Sequence, residues 1–495
     1  MTDLPGTLPE TEPHGGTPES ADLLGLAIAW SAEEPGRIGE VALIPGGGAP
    51  GPIQILGRGA PAHDDAHARL SFSHIRGSRI EPRSPLAMQR LSRLQLRVRA
   101  IGDGTLEVEN LGRLPLENNG APCQRALVRP GDLLQLGGQL LLLVVQRRLA
   151  PSGCGESGPA GFPFGFADRC GLVGESSLAW ALRERIAFVG PRRGHVLIVG
   201  ASGVGKELVA RAVHAASDRA ERALCARNAA TIPEGIVDAE LFGNARNYPN
   251  PGVGERAGLI GDADGTSLFL DEFGELPLSA QAHFLRVLDS GEYQRLGESR
   301  MRVSSFRLIA ATNRPLSVLK DDVLARLMFR IEVSDLNARK EDVPLLARHL
   351  LCRILSTDDG LAHRFWTAER GTAVPSLSLR FVRGLLSRDY VSHARELEGI
   401  LWRALETSGV DVIEPVADER MAIASGAAPR QGADWTLAPP PAGAEDDLGA
   451  AIQRCLDANN GALEPTFREL GLSSRHALAR LIRKHGLEVR KRTTR

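Results

Sequence analysis

The chain is 495 residues long and carries 59 Lys and Arg against 60 Asp and Glu. That length is too great for one ordinary hydrophobic core and predicts about three domains. The even balance excludes a chain-wide field for polyanions, so charge has to be read segment by segment. Six scattered cysteines (Cys123, Cys154, Cys170, Cys225, Cys352, Cys455) include no Cys-x-x-Cys pair. This argues against a disulfide framework or a zinc site and for a reducing, cytoplasmic setting. Residues 1–22 are acidic, rich in Pro, Gly and Thr, and lack the apolar core of a signal peptide; they read as a disordered tail. The longest dense apolar run, 140–145, is far too short to span a bilayer, so no membrane partner is expected.

Residues 23–149 alternate with period two. Leu94, Leu96 and Val98 interleave with Gln95, Arg97 and Arg99, and Leu106 and Val108 with Glu107 and Glu109. Turn signals at 102–104 and 130–132 separate the runs, and 140–145 closes the set as a buried strand. An antiparallel β-sandwich is predicted. Its loops resemble those of forkhead-associated (FHA) domains: Gly57-Arg58, Ser92-Arg93, the Asn119-Gly120 turn, and Pro130-Gly-Asp132 ahead of Leu136-Gly137. The resemblance implies recognition of a phosphothreonine-bearing protein or kinase through Arg58, Ser92 and Arg93, with Arg58 suited to a bidentate phosphate contact. Two positions depart from the family: Gln95 stands where it has His, and residues 113–117 replace its Ser-x-Asn-Gly-Thr turn. A sandwich used only for docking is the alternative.

After a Pro- and Gly-rich linker, 150–169, the central region contains its most specific motif. An apolar strand, 195–199, runs into Gly200, Ala201, Ser202, Gly203, Val204, Gly205 and Lys206. Glu207 then opens a helix with Leu208, Val209, Ala212 and Val213 on one face. Strand, glycine loop and helix start aim backbone N–H groups and the helix dipole at one spot, a phosphate cradle, with Lys206 as a point charge. A second apolar strand ends in Asp271 and Glu272, suited to holding a metal and polarising a water. Together these point to ATP or GTP hydrolysis.

From Gly171 to about Ser408 the sequence closely resembles the AAA+ domain of sigma-54-dependent transcriptional activators. The matching segments are 172–176, the glycine loop, 240–243, 265–277, 281–297, 306–314 and 340–346. The resemblance implies an α/β AAA+ P-loop ATPase core (170–340) with a helical lid (341–425), using ATP and Mg²⁺. Lys206 would contact the β- and γ-phosphates, Asp271 would hold Mg²⁺, and Glu272 would orient the attacking water. Asn228 would act as a switch and Asn313 as first sensor, after Thr312; Arg395 would be the second sensor. Glu207 in place of Ser or Thr is the family's own choice. Arg326 and Lys320 fall where the family delivers basic residues into the next subunit of a hexameric ring. Lys320 replaces an arginine and lacks its planar fork. The family's Gly-Ala-Phe-Thr-Gly-Ala tip, which grips sigma-54, is here Asn247, Tyr248, Pro249, Asn250, Pro251 and Gly252, a stiffer tip of different chemistry. The family's Trp-Pro-Gly-Asn-Val is likewise replaced by residues 390–394.

A second linker, 426–445, leads to 446–495. Residues 454–495 hold ten Lys and Arg against four Asp and Glu. Leu448, Ile452 and Leu456 mark one amphipathic helix; further helices at 464–470 and 474–485 flank a tight turn, with Ser473 as N-cap and Gly486 at the C-terminal end. This all-α helix-turn-helix resembles the Fis-type DNA-binding domain. Ser474, Arg475, His476 and Arg480 would face the major groove of double-stranded promoter DNA. The expected whole is a multidomain regulator that dimerises, forms rings and acts on sigma-54 RNA polymerase. Two alternatives stand beside it: a DNA-binding regulator that no longer contacts sigma-54, and a phospho-dependent signalling adaptor.

Overall fold

A computed structural model describes residues 22–46, 50–60, 67–148, 161–369 and 372–416. They belong to a compact unit spanning 1–428. The second unit, 429–495, lies outside the described residues apart from Gln453. The predicted helix-turn-helix, with Ser474, Arg475, His476 and Arg480, lies there.

The N-terminal part is two β-sheets around one core. One sheet has eight strands, centred on Leu140–Arg148 and Asp22–Ser31, which pair antiparallel over their length; the other has five. Leu26, Ile28, Leu96, Val98, Leu106, Val108, Leu140, Leu142 and Val144 fill the space between the sheets. Alternation fails at one predicted point. Leu94 is 47% exposed and Gln95 fully buried, because the strand starts at Leu96 and Gln95 has another task. Its Nε2 donates to Asn110 Oδ1 (2.8 Å) and to Leu114 O (3.0 Å), knitting the loops at that end of the sandwich.

The unbroken apolar run at 140–145 has a physical reason: its strand is covered on both faces. Leu140, Leu142 and Val144 enter the sandwich core, whereas Leu141, Leu143 and Val145 join a second core with Leu350, Leu351, Phe381, Leu385 and Leu397. Each fully buried Leu contributes about 1.5–3 kcal/mol relative to exposure, so the sandwich is held firmly on the helices beneath it. Trp30 Nε1 donates to Leu377 O across the same boundary (2.8 Å). The stretch read as a linker is described only from residue 161, and there it is packed: His74 stacks on Phe164 with centroids 3.7 Å apart.

The central part is a five-stranded parallel sheet in the order Cys225–Asn228, Ser267–Asp271, Arg307–Thr312, Val196–Val199, Phe329–Glu332. Helices cover both faces, so the inner strands Ser267–Asp271, Arg307–Thr312 and Val196–Val199 read as near-continuous apolar runs, whereas the edge strands Cys225–Asn228 and Phe329–Glu332 are mixed. Arg307 fixes one of the inner strands. Fully buried, it donates to the carbonyls of Val189, Gly190 and Gly194, closing the C-terminal end of the helix Ser177–Val189. A helical lid follows, formed by Val343–Leu355, Asp359–Phe365, Leu379–Leu386 and His393–Thr407.

Candidate nucleotide site

Register places the chemistry. In the parallel sheet Val199 pairs with Thr312, and Asn228 with Asp271. The carboxyl ends of three neighbouring strands and the loop after Val199 therefore open onto one crevice, where ligands bind in such sheets. Gly203 and Gly205 have φ of +83° and +102°, left-handed backbone that favours glycine. Space also demands glycine at 203, since a Cβ there would lie 2.2 Å from Ser392 O. The helix Lys206–Ala215 begins directly after Gly205, so its free N–H groups face the crevice.

Lys206 is buried, and its Nζ donates to the carbonyls of Gly200 (3.0 Å) and Ala201 (3.1 Å). Burial pulls its ammonium below the ordinary value; the Glu272 and Asp271 carboxylates oppose that pull, and Arg395 adds to it. Two cations and two carboxylates thus share one small volume. Glu272 has φ +51° and ψ +42°, a left-handed conformation that costs a non-glycine residue about 1–3 kcal/mol. Its Oε2 is buried without a hydrogen-bond partner. Asp271 Oδ1 accepts the Glu272 backbone N–H (3.0 Å), which orients the Asp271 carboxylate. Asn228 accepts the Ala230 N–H through Oδ1 (2.8 Å), so in this state it serves as a cap. Thr312 is fully buried and its Oγ1 accepts the Arg314 N–H (3.0 Å); Asn313 is exposed beside it.

The lid closes the site. Ala394 N donates to Gly203 O (3.2 Å), and Arg395 Nη1 to Ser202 Oγ (3.3 Å). His393 takes φ +49° at the joint, and the Asn337 side chain bonds both the N–H and the C=O of Tyr390. Beside the phosphate loop lies a partly open cavity, lined by Leu172, Val173, Leu182, Arg183, Val204, Leu208, Val333, Arg339 and Ala394 among others. Its mostly apolar walls suit the flat face of a base. Apart from the glycine-loop residue Val204, sequence reasoning did not assign these residues. The signal was available in Leu208, which shares the apolar stripe of its helix but is only half-buried because it faces the cavity.

A family model described as the sigma-54 interaction domain matches residues 172–337. The transcriptional regulatory protein ZraR of Escherichia coli K12 is 34% identical over 331 residues, 64% of this chain and 69% of that one. The chain belongs to the sigma-54-dependent transcriptional regulators. It is also similar to the formate hydrogenlyase transcriptional activator of Salmonella typhimurium strain SL1344 (32% over 323 residues, 63% of this chain and 44% of that one). NorR, the anaerobic nitric oxide reductase transcription regulator of Serratia proteamaculans, is 36% identical over 242 residues, 47% and 45% of the two chains. The chain thus spans less than half the length of these last two relatives.

In this sigma-54-dependent regulator, Lys320 and Arg326 stand apart from the cavity, at the start and end of the helix Asp321–Arg326. Arg326 grips Asp289 with two hydrogen bonds (2.6 and 2.8 Å) and also bonds Asp322 O (2.7 Å). That pairing holds the Asp289 carboxyl below its usual range.

The altered tip is closed by its own polar groups. Gly252 N donates to Asn247 Oδ1 (3.0 Å), Asn247 N to Val253 O (2.8 Å), and Asn244 Nδ2 to the carbonyls of Ala245 (3.0 Å) and Gly254 (2.9 Å). Tyr248 lies over Gly297 of the hairpin next door, where a Cβ would come within 2.4 Å of its ring. Pro249, Asn250 and Pro251 are exposed.

At the end of the sandwich, Arg58 N donates to Ser92 O (3.1 Å), and Ser92 Oγ accepts the Arg113 N–H (3.0 Å). Arg69 donates to Arg93 O. The exposed arginines 58, 93 and 113 are therefore carried by adjoining loops. The Asn119-Gly120 turn is separately employed: Asn119 bonds Asp132 and the Leu133 N–H.

Proposed function

We propose that this chain hydrolyses ATP as an oligomeric ring and uses the cycle to regulate transcription at promoter DNA. The observation that carries the reading is Glu272: a carboxylate in strained backbone, with a buried unpaired oxygen, next to Asp271 and the Lys206 loop. The residues fit magnesium-bound ATP. The glycine loop and helix start would take the phosphates, Lys206 exchanging its two carbonyl partners for them, and the apolar cavity would take the base. Asp271 would hold Mg²⁺, which neutralises phosphate charge when bound. Glu272 would hold and polarise a water, and Asn228 and Thr312 would register its position. The basic 446–495 segment is the DNA-binding part of this reading. The arginine-rich loops at 58, 92, 93 and 113 would take a phosphorylated side chain, which is supported by their shared location and charge.

For the client contact a second reading is favoured by the tip. A loop closed by Asn244 and Asn247 and resting on Gly297 presents Pro249 and Asn250 where the family presents Phe and Thr. The full chain trapped with ADP–aluminium fluoride is expected to retain sigma-54 at least about tenfold more weakly than a variant carrying Gly-Ala-Phe-Thr-Gly-Ala at 247–252, a difference of about 1.4 kcal/mol. Equal retention would sink the altered-client reading. Failure to form any trapped complex would sink the ATP reading itself.

A further inference from the structure

The side chain of Arg76, at the end of the strand Phe72–Arg76 of the sandwich, leaves its own module. It forms a two-pronged pair with Glu175, Nη2 to Oε1 at 2.9 Å and Nε to Oε2 at 3.2 Å, while Nη1 donates to Phe162 O (3.0 Å). Its guanidinium lies 4.6 Å from the Phe162 ring centre and 5.6 Å from that of Trp180. Glu175 is almost wholly buried and also accepts from Trp180 Nε1 (2.9 Å) and Gly165 N (2.8 Å).

Glu175 follows two residues after the wall of the nucleotide cavity. Leu172 and Val173 line that cavity, and Ser176 caps the helix behind it. The N–H groups of Glu175 and Ser176 both end on Asp342 Oδ1 (2.8 and 2.9 Å), three residues beyond the cavity-lining Arg339. Arg183, another lining residue, donates to Leu172 O and Gly174 O and lies 5.1 Å from the opposite partner of Arg76, the Phe162 ring. A second buried pair, Arg147 with Glu341 (2.9 Å), ties the sandwich strand Leu140–Arg148 to the same segment, and Arg147 also bonds Glu175 O (2.6 Å). Without Arg76, the Glu175 carboxylate would keep only neutral donors while remaining buried, and such an uncompensated charge forces its surroundings to relax.

We propose that Arg76 is a positioning residue for the nucleotide cavity, acting through Glu175, so that docking of the sandwich and occupancy of the cavity are linked. The proposal rests on the reading that the cavity takes ATP. Linkage is reciprocal: whatever nucleotide does to the docked sandwich, the sandwich does to nucleotide affinity by the same factor. A signal bound by the sandwich then has a path to the ATP site within one subunit.

The test uses the full chain and a fluorescent ATP analogue, mant-ATP. Arg76→Ala is expected to weaken binding at least about fivefold, the low end of common coupling energies. It should raise the KM for ATP with little change in kcat, a split that loss of folded protein would not give. Arg76→Lys should recover only part, because one ammonium cannot serve both Glu175 oxygens in the fork geometry. Hydrogen exchange on the wild-type chain with and without ATPγS needs no variant: amides at 72–76 and 140–148 should gain protection together with 200–206. Wild-type affinity in Arg76→Ala, or protection at 200–206 with none in the sandwich strands, would overturn the linkage. No response at 200–206 would remove the nucleotide reading, and the linkage with it.

Discussion

Arg326→Ala is expected to lower ATP turnover by about 10³–10⁵-fold, the scale on which an arginine delivered in trans acts, while mant-ATP affinity stays within about twofold of wild type. The second half of that expectation comes from position: Arg326 lines no part of the cavity in its own chain. Its two hydrogen bonds to Asp289 hold it at the surface, in a solvent-screened pair that exchanges readily for another anion. A neighbouring subunit's terminal phosphate is such an anion. Lys320, at the head of the same helix, carries a positive charge without a planar fork. Steady-state turnover at saturating ATP, together with the titration, checks the pair of outcomes. Unchanged turnover would leave Arg326 as a strut between the helices Asp321–Arg326 and Leu278–Ser290.

Glu272→Gln should produce the complementary defect, binding ATP about as well as wild type and hydrolysing it about 10²–10⁴-fold more slowly, as expected for loss of a positioned base. The amide preserves the size of the side chain and the left-handed turn at 272, so the loop and Lys206 are undisturbed. It cannot draw a proton from water. Single-turnover and steady-state rates measured beside mant-ATP affinity separate the two effects. A variant that hydrolyses at the wild-type rate would move the water-orienting role away from Glu272.

What the sequence made legible was local. The glycine loop, the helix that follows and the two carboxylates are contiguous patterns whose spacing dictates their geometry, and the parallel register then brings Asn228 to Asp271. The cavity wall was less legible because its residues come from segments spread between 171 and 394. Leu172, Leu208, Val333 and Arg339 meet only in the fold. Docking of the sandwich was barely legible. Trp30 and Leu377 are 347 residues apart, and no period in the sequence connects them. The run at 140–145 hinted at it, since six successive apolar residues in an antiparallel sheet require cover on both faces. The exchange at Leu94 and Gln95 shows the opposite failure. Alternation assigned the glutamine outward, whereas its amide is the polar stitch that the loops at 110–114 need.

On the proposed function, ATP is hydrolysed at a site completed by a second copy of the chain. The most direct test is ATP turnover per subunit as the concentration of full chain is raised. Turnover should climb with assembly to a plateau and be nearly absent in Arg326→Ala or Glu272→Gln alone. It should be partly regained when those two variants are mixed, because an intact Glu272 then meets an intact Arg326. Turnover per subunit that stays constant on dilution, or a mixture as inactive as its components, would contradict the claim.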